Sequence, residues 1–227
     1  MRNEVVHAYM ANAVRFKPRT SRMANGRPLR AAATLLTCEA AVALLNEIDL
    51  PPEGETAYRY VNVHNPRCPL VFEPRSRRWA CMPSQRLHPV CGINWAGARL
   101  LCQQLGGRLP LSSEWEAIAS NNDQARVYPW GDLDPTPALA NFDEHMGGTS
   151  PVGSFPASEL GLYDLAGNLS EWCEDRLEAP AGGLLGERVI KGGAWSKGPH
   201  HLRIAAMRGK WERLGTTTIG IRTVWDD

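Results

Sequence analysis

The stretch GLYDLAGNLSEWCED, residues 161–175, sets Asp164 and Glu171 seven positions apart, with Gly167 and Asn168 between them. It is too rich in glycine and polar residues for a good helix and too irregular for a strand. Two carboxylates on a chain bent in this way can attract a cation, or they can hold backbone amides. A second group able to do chemistry is Lys197 with the adjacent pair His200 and His201. Imidazole serves as base, acid or metal ligand near neutral pH, and Lys197 can pair with an anionic substrate. On a strand, adjacent residues point to opposite faces, so one of the two histidines is expected to face a pocket.

Charge is distributed in blocks. Residues 132–187 hold eleven Asp or Glu and one Arg, Arg176, whereas 188–213 hold seven Arg or Lys and one Glu. The acidic block can attract cations. The basic block can pair with it or hold an anionic ligand, and solvated surfaces of opposite sign are the alternative. Net charge is +1, so no global field favours nucleic acid or a membrane, and neither is expected as a partner.

These residues need a scaffold. The 227-residue chain is 43% apolar and so can bury a sizeable core, and 21 Gly with 17 Pro indicate a loop-rich fold. Eight tryptophans suit packed loops and ligand pockets, because each couples apolar area to one N–H donor. Residues 1–30 are basic with little periodicity and are expected to form an arm; residues 31–227 are expected to form one domain.

Apolar spacing predicts helices at 36–48, with Thr37 as N-cap, at 94–105, with Asn94 as cap, and at 112–120, opened by Ser113 and Glu116. YRYVNV alternates as a short strand would, and RRWACM is a further strand candidate. From Tyr128 to Leu185 few regular elements are expected. Residues 188–195, 202–208 and 217–225 alternate as closing strands.

The six cysteines include no C-x-x-C pair and are expected to be mostly buried free thiols. No apolar run reaches about 18 residues and no secretory h-region is evident, so a cytoplasmic protein is expected.

Seven blocks fall in one order: HPVCGINWAGARLLCQQLGGRLPLSSEWEAIA (88–119), YPWGD (128–132), AN (140–141), TSPVGSFP (149–156), GLYDLAGNLSEWCED (161–175), RVIKGGAWS (188–196) and IGIR (219–222). In these the chain resembles the formylglycine-generating enzyme, or sulfatase-modifying factor, family over roughly residues 36–227. The usual opening strand motif of that family is not recognisable. The resemblance implies an α+β, C-type-lectin-like fold, loop-rich, with two main helices and small antiparallel sheets. It also implies structural calcium. One ion would be held by the side chains of Asp164 and Glu171 and the carbonyls of Gly167 and Leu169. A second would be held by Asn141, the Phe142 carbonyl, Glu144 and the Met146 carbonyl, with Glu144 standing where the family often has Asp.

The resemblance divides on activity. Authentic formylglycine-generating enzymes bind copper(I) through two cysteines after the GG-[SA]-[WY] motif, here Gly192–Trp195. This chain has no cysteine after Cys173, so copper-thiolate sulfatase activation is not expected. Ergothioneine-type sulfoxide synthases hold iron with three histidines, supplied largely by an attached helical domain. Pyoverdine-maturation oxidases keep the fold without the cysteine pair, and retroelement variable proteins use it to display a binding surface.

The resemblance thus implies an oxidoreductase-type enzyme of a biosynthetic or modification pathway, with iron, copper or no catalytic metal. Its candidate catalytic residues are His200, His201 and Lys197. Trp195, Trp172 and Arg203 would bind a small-molecule or peptide substrate beside residues 194–203. The alternative is a non-catalytic module that binds a ligand or a protein partner. Arg203, Arg208 and Arg222 are expected to pair with the acidic block.

Overall fold

The structure, a computed structural model, describes residues 3–17, 28–52, 59–177 and 186–227. Among the described residues, four α-helices and nine short strands alternate with long loops: α1 (Glu4–Ala11), β1 (Val14–Phe16), β2 (Leu29–Ala31), α2 (Cys38–Glu47), β3 (Leu70–Glu73), β4 (Arg78–Cys81), α3 (Trp95–Gln104), α4 (Ser112–Ser120), β5 (Ser170–Arg176), β6 (Glu187–Lys191), β7 (Arg208–Trp211), β8 (Ile219–Gly220) and β9 (Val224–Asp226). The strands make sheets ordered β1-β2-β9, β3-β4 and β7-β6-β5-β8. All pairs are antiparallel except β5–β8, which is parallel.

Local chemistry explains the expected helices. Thr37 Oγ1 accepts from Ala40 N at 3.2 Å to start α2, and Asn94 Oδ1 accepts from Gly97 N at 2.9 Å to start α3. The start of α4 differs from the expected Ser113–Glu116 arrangement. Glu114 reaches back to Leu111 N at 2.8 Å, while Glu116 reaches across to Lys191. The N-cap is Leu111, so Glu114 stands at the third helical position, from which a side chain can turn back, and it also pairs with Arg108.

The N-terminal segment corrects the expectation of an arm. Helix α1 buries Val6 and Tyr9, and β1 and β2 join the C-terminal β9 through pairs such as Leu29 with Asp226. Its basic residues serve this docking, for Arg15 and Arg30 both reach Asp227. Of the arm, residues 1–2 and 18–27 lie outside the described residues, as do 53–58 within YRYVNV and its approach. What is described of YRYVNV makes one bridge, Val61 with Ile93, rather than a strand. RRWACM does form β4.

Tryptophans join the layers. Trp172 Nε1 donates to Ile93 O, Trp95 Nε1 to Cys173 O and Trp225 Nε1 to Leu105 O, so each ring fills the core without an orphaned donor. The described cysteines are all free thiols, five of them buried.

Candidate ligand cleft and loop sites

Residues 128–169 carry no strand or helix, yet most of their inward-facing side chains are buried. Two asparagines replace the missing ladders. Asn168 accepts from Ser150 N at 3.1 Å through Oδ1 and donates to Ser150 O at 3.1 Å through Nδ2. Its backbone N donates to Asn141 O and its carbonyl accepts from Trp195 N. Asn141 Nδ2 donates to Gly148 O at 2.9 Å. Gly167 lies against Asn141 at φ 82°, and a Cβ there would collide with the Asn141 carbonyl.

At the centre of this region Glu171 and Arg222 are fully buried. Arg222 Nη2 lies 2.8 Å from Glu171 Oε1, and its Nε lies 3.1 Å from each carboxylate oxygen. Trp115 Nε1 donates to Oε2 at 2.8 Å. The remaining Arg222 donors go to the carbonyls of Ala32, Ala33 and Tyr163. Opposite charge and hydrogen bonds to both partners are the conditions under which a buried pair is tolerated.

This bears on calcium. Glu171 does not fit as an ion ligand here, because both its oxygens hold N–H donors and its charge is already balanced by Arg222. Asp164 differs. Its carboxylate receives only amide N–H groups, from Gly153 at 2.8 Å and Asn168 at 3.4 Å, and burial pushes its carboxyl above the usual range. A cavity of about 30 Å³ reaches it. In the 141–146 loop the buried Asn141 Oδ1 has no partner among the described residues. The Phe142 carbonyl, by contrast, already accepts from His145 Nδ1 at 2.6 Å. Glu144 is exposed and anchors through its backbone N to Trp195 O, and the Met146 side chain is half exposed. Leu169 is wholly buried beside Trp195. Of these candidates Asn141 Oδ1 is the oxygen with unmet demand, and Asp164 is a buried carboxylate that makes no ion pair among the described residues; both are hard oxygens, the donor type calcium takes.

The Gly192–Gly193 turn sets the next segment. A Cβ on Gly193, at φ 72°, would sit 2.9 Å from the His201 carbonyl, so this close approach requires glycine. Pro199–Leu202 is a 3-10 helix rather than a strand, which corrects the expectation of opposite-facing histidines. The two imidazoles pack with ring centres 3.8 Å apart. Burial, then Arg208, His200 and Lys197, hold His201 below the usual histidine range. Arg203 is exposed, and neither it nor Arg208 makes an ion pair among the described residues; Arg222 is the member of that expected trio that does. Trp172 has no exposed surface and is a core residue, so it does not wall a pocket. Among the described residues no three His, Cys, Asp or Glu side chains converge as a metal site.

Trp195 does wall a cleft. An open cavity of about 440 Å³ is lined by Arg67, Met82, Cys91, Met146, Thr149 and Trp195, with Pro66, Pro69 and Pro89. The Arg67 guanidinium carbon lies 5.9 Å from the Trp195 ring centre. Burial pushes the Cys91 thiol far up, so it adds no charge. Arg67 is the residue that sequence reasoning missed. Its prolines, Pro66 and Pro69, signal an irregular loop and nothing about the tryptophan more than a hundred residues away.

Comparison with known proteins places this geometry. The model of the sulfatase-modifying factor enzyme 1-like domain matches residues 59–227. The serine/threonine-protein kinase Pkn1 of Chlamydia trachomatis is 36% identical over 168 residues, 68% of this chain and 27% of the relative. The inactive C-alpha-formylglycine-generating enzyme 2 of Bos taurus is 31% identical over 150 residues, 59% of this chain and 49% of the relative. The chain thus spans about a quarter to a half of these relatives, and their named activities are theirs. Among solved structures, CarF superposes with TM-score 0.68 at 19% identity, covering 95% of this chain and 98% of that one. PvdO of Pseudomonas aeruginosa gives 0.65 at 20%, covering 95% and 92%, and Treponema denticola variable protein 1 gives 0.64 at 17%, covering 95% and 93%. These likenesses show the C-type-lectin-like fold expected from the sequence. Fold and family model agree, and the chain belongs to the formylglycine-generating-enzyme family of sulfatase-modifying-factor domains.

Proposed function

We propose that this chain uses the family scaffold to bind a small molecule or a peptide in the cleft beside Trp195. The observation that carries this reading is the cleft itself: about 440 Å³, within the range of ligand pockets, and lined by a tryptophan and an arginine. Its partly exposed methionines, Met82 and Met146, suit an adaptable contact surface. Ligand-observed NMR with a set of aromatic fragments and short peptides tests it. Hits should be lost in Met146→Trp, which fills the cleft. Hits retained in that variant would place binding elsewhere and sink the reading.

A second reading, an oxidoreductase-type enzyme, is favoured by one observation. His201 packs its ring 3.8 Å from that of His200 and is held below the usual histidine range by burial, then by Arg208, His200 and Lys197, an arrangement in which an imidazole can take part in proton transfer. Iron or copper belongs to this reading. Oxygen uptake in the presence of a cleft ligand, abolished by His201→Ala with ligand binding intact, would support it. No uptake with any cleft ligand, with or without added iron or copper, would count against it.

Calcium is proposed as a structural ion held by Asn141 and Asp164, where it would add positive charge that keeps the two loops together. Asn141→Leu should remove any gain in melting temperature that calcium gives over chelator. An equal gain in the variant would contradict the assignment.

A further inference from the structure

We propose that the cleft takes a small organic carboxylate, an anion with an otherwise uncharged body, and that Arg67 receives its charge. This deepens the binding reading above and rests on it. Among the described residues that line the cleft, Arg67 is the one charged side chain. It reaches no carboxylate among the described residues, whereas Arg86, also exposed, is paired with Glu39 at 2.9 Å. An arginine over an aromatic ring keeps its in-plane N–H fork free, and that fork matches a carboxylate with two parallel hydrogen bonds.

The remaining walls are apolar or neutral. Met82 and Met146 are thioethers, and the Cys91 thiol stays protonated. The Thr149 hydroxyl is already engaged by His88 Nδ1 at 2.9 Å. Gln85 and Thr217 add neutral polar groups beside these surfaces, so one cation in a cleft of this size selects a single negative charge on an otherwise uncharged body. A cationic ligand would meet Arg67, and a neutral one would forgo it.

Isothermal titration of the whole chain with 2-naphthoate and with its neutral isostere 2-naphthamide tests this. Naphthoate should bind about tenfold tighter or more, the size of one charge-assisted hydrogen bond. Arg67→Gln should bring that ratio to about one, and Arg67→Lys should restore part of it, since lysine lacks the fork. Unchanged circular dichroism of Arg67→Gln would show that the variant folds. Equal binding of both probes to the native chain, or a preference that survives Arg67→Gln, would overturn the inference and leave the cleft reading standing. Binding of neither probe would overturn both.

Discussion

Arg222 and Arg67 carry the same group in opposite circumstances. Arg222 is wholly buried, and each of its donors has a carboxylate or carbonyl partner. Arg67 is exposed, has its guanidinium carbon 5.9 Å from the Trp195 ring centre and reaches no carboxylate among the described residues. The difference separates scaffold from site. A charge whose partners are all internal organises loops, while a charge held in place without a partner is available to a ligand. The Glu171–Arg222 centre also explains why so many loop residues stay buried: it joins the Ala32–Ala33 segment, Tyr163, β5 and α4 at one point.

The largest test of this contrast is Glu171→Gln. Removing one charge of a fully buried pair leaves Arg222 uncompensated, and about 3–5 kcal/mol should be lost in urea denaturation. A loss under about 1 kcal/mol would rank the pair with surface bridges and dissolve the contrast. Next comes Asn168→Ala. It orphans the Ser150 amide and carbonyl and should cost about 1–3 kcal/mol, read from the same titration.

Smaller again is Glu159→Gln, where the exposed Glu159 lies 2.9 Å from Arg126. The hydrogen bond from Arg126 holds the Glu159 carboxyl below its usual range, so its folded pKa is depressed. Its contribution is present above the unfolded value of about 4.3 and fades as pH falls through the folded one. The native chain and the variant should therefore differ slightly at pH 7 and converge in acid, and divergence in acid would reverse the sign. Last is Arg67→Gln, which should leave stability within about 0.5 kcal/mol, as for an ordinary surface position. A larger loss would make Arg67 part of the scaffold.

What was legible in the sequence follows from range. Helices α2, α3 and α4 announce themselves through apolar periodicity and nearby caps, and their bounds fall within two residues of expectation. The Gly192–Gly193 turn is legible as a motif. The pairing of Arg222 with the acidic block was expected, but not that Glu171 would be its partner, which removes Glu171 from the calcium set.

Other features were hidden because they depend on long-range contact. Strand β5 lies within a segment too irregular to suggest a strand, and its partners come from β6 and β8. Helix α1 has weak local signals and is fixed by packing Val6 and Tyr9 into the core, with the Tyr9 hydroxyl against Thr223. The cleft assembles residues from positions 66–69, 82–91, 146–149, 195 and 217, and no local pattern reports that convergence.

The most direct measurement is a titration of the native chain with 2-naphthoate followed through the indole N–H resonances in a proton–nitrogen NMR spectrum. Each of the eight tryptophans supplies one such signal, assigned by Trp→Phe variants. The account predicts that the Trp195 signal moves while those of the buried Trp115 and Trp172 stay in place. A Trp195 signal that does not move while naphthoate binds, or shifts centred on Trp115 or Trp172, would contradict it.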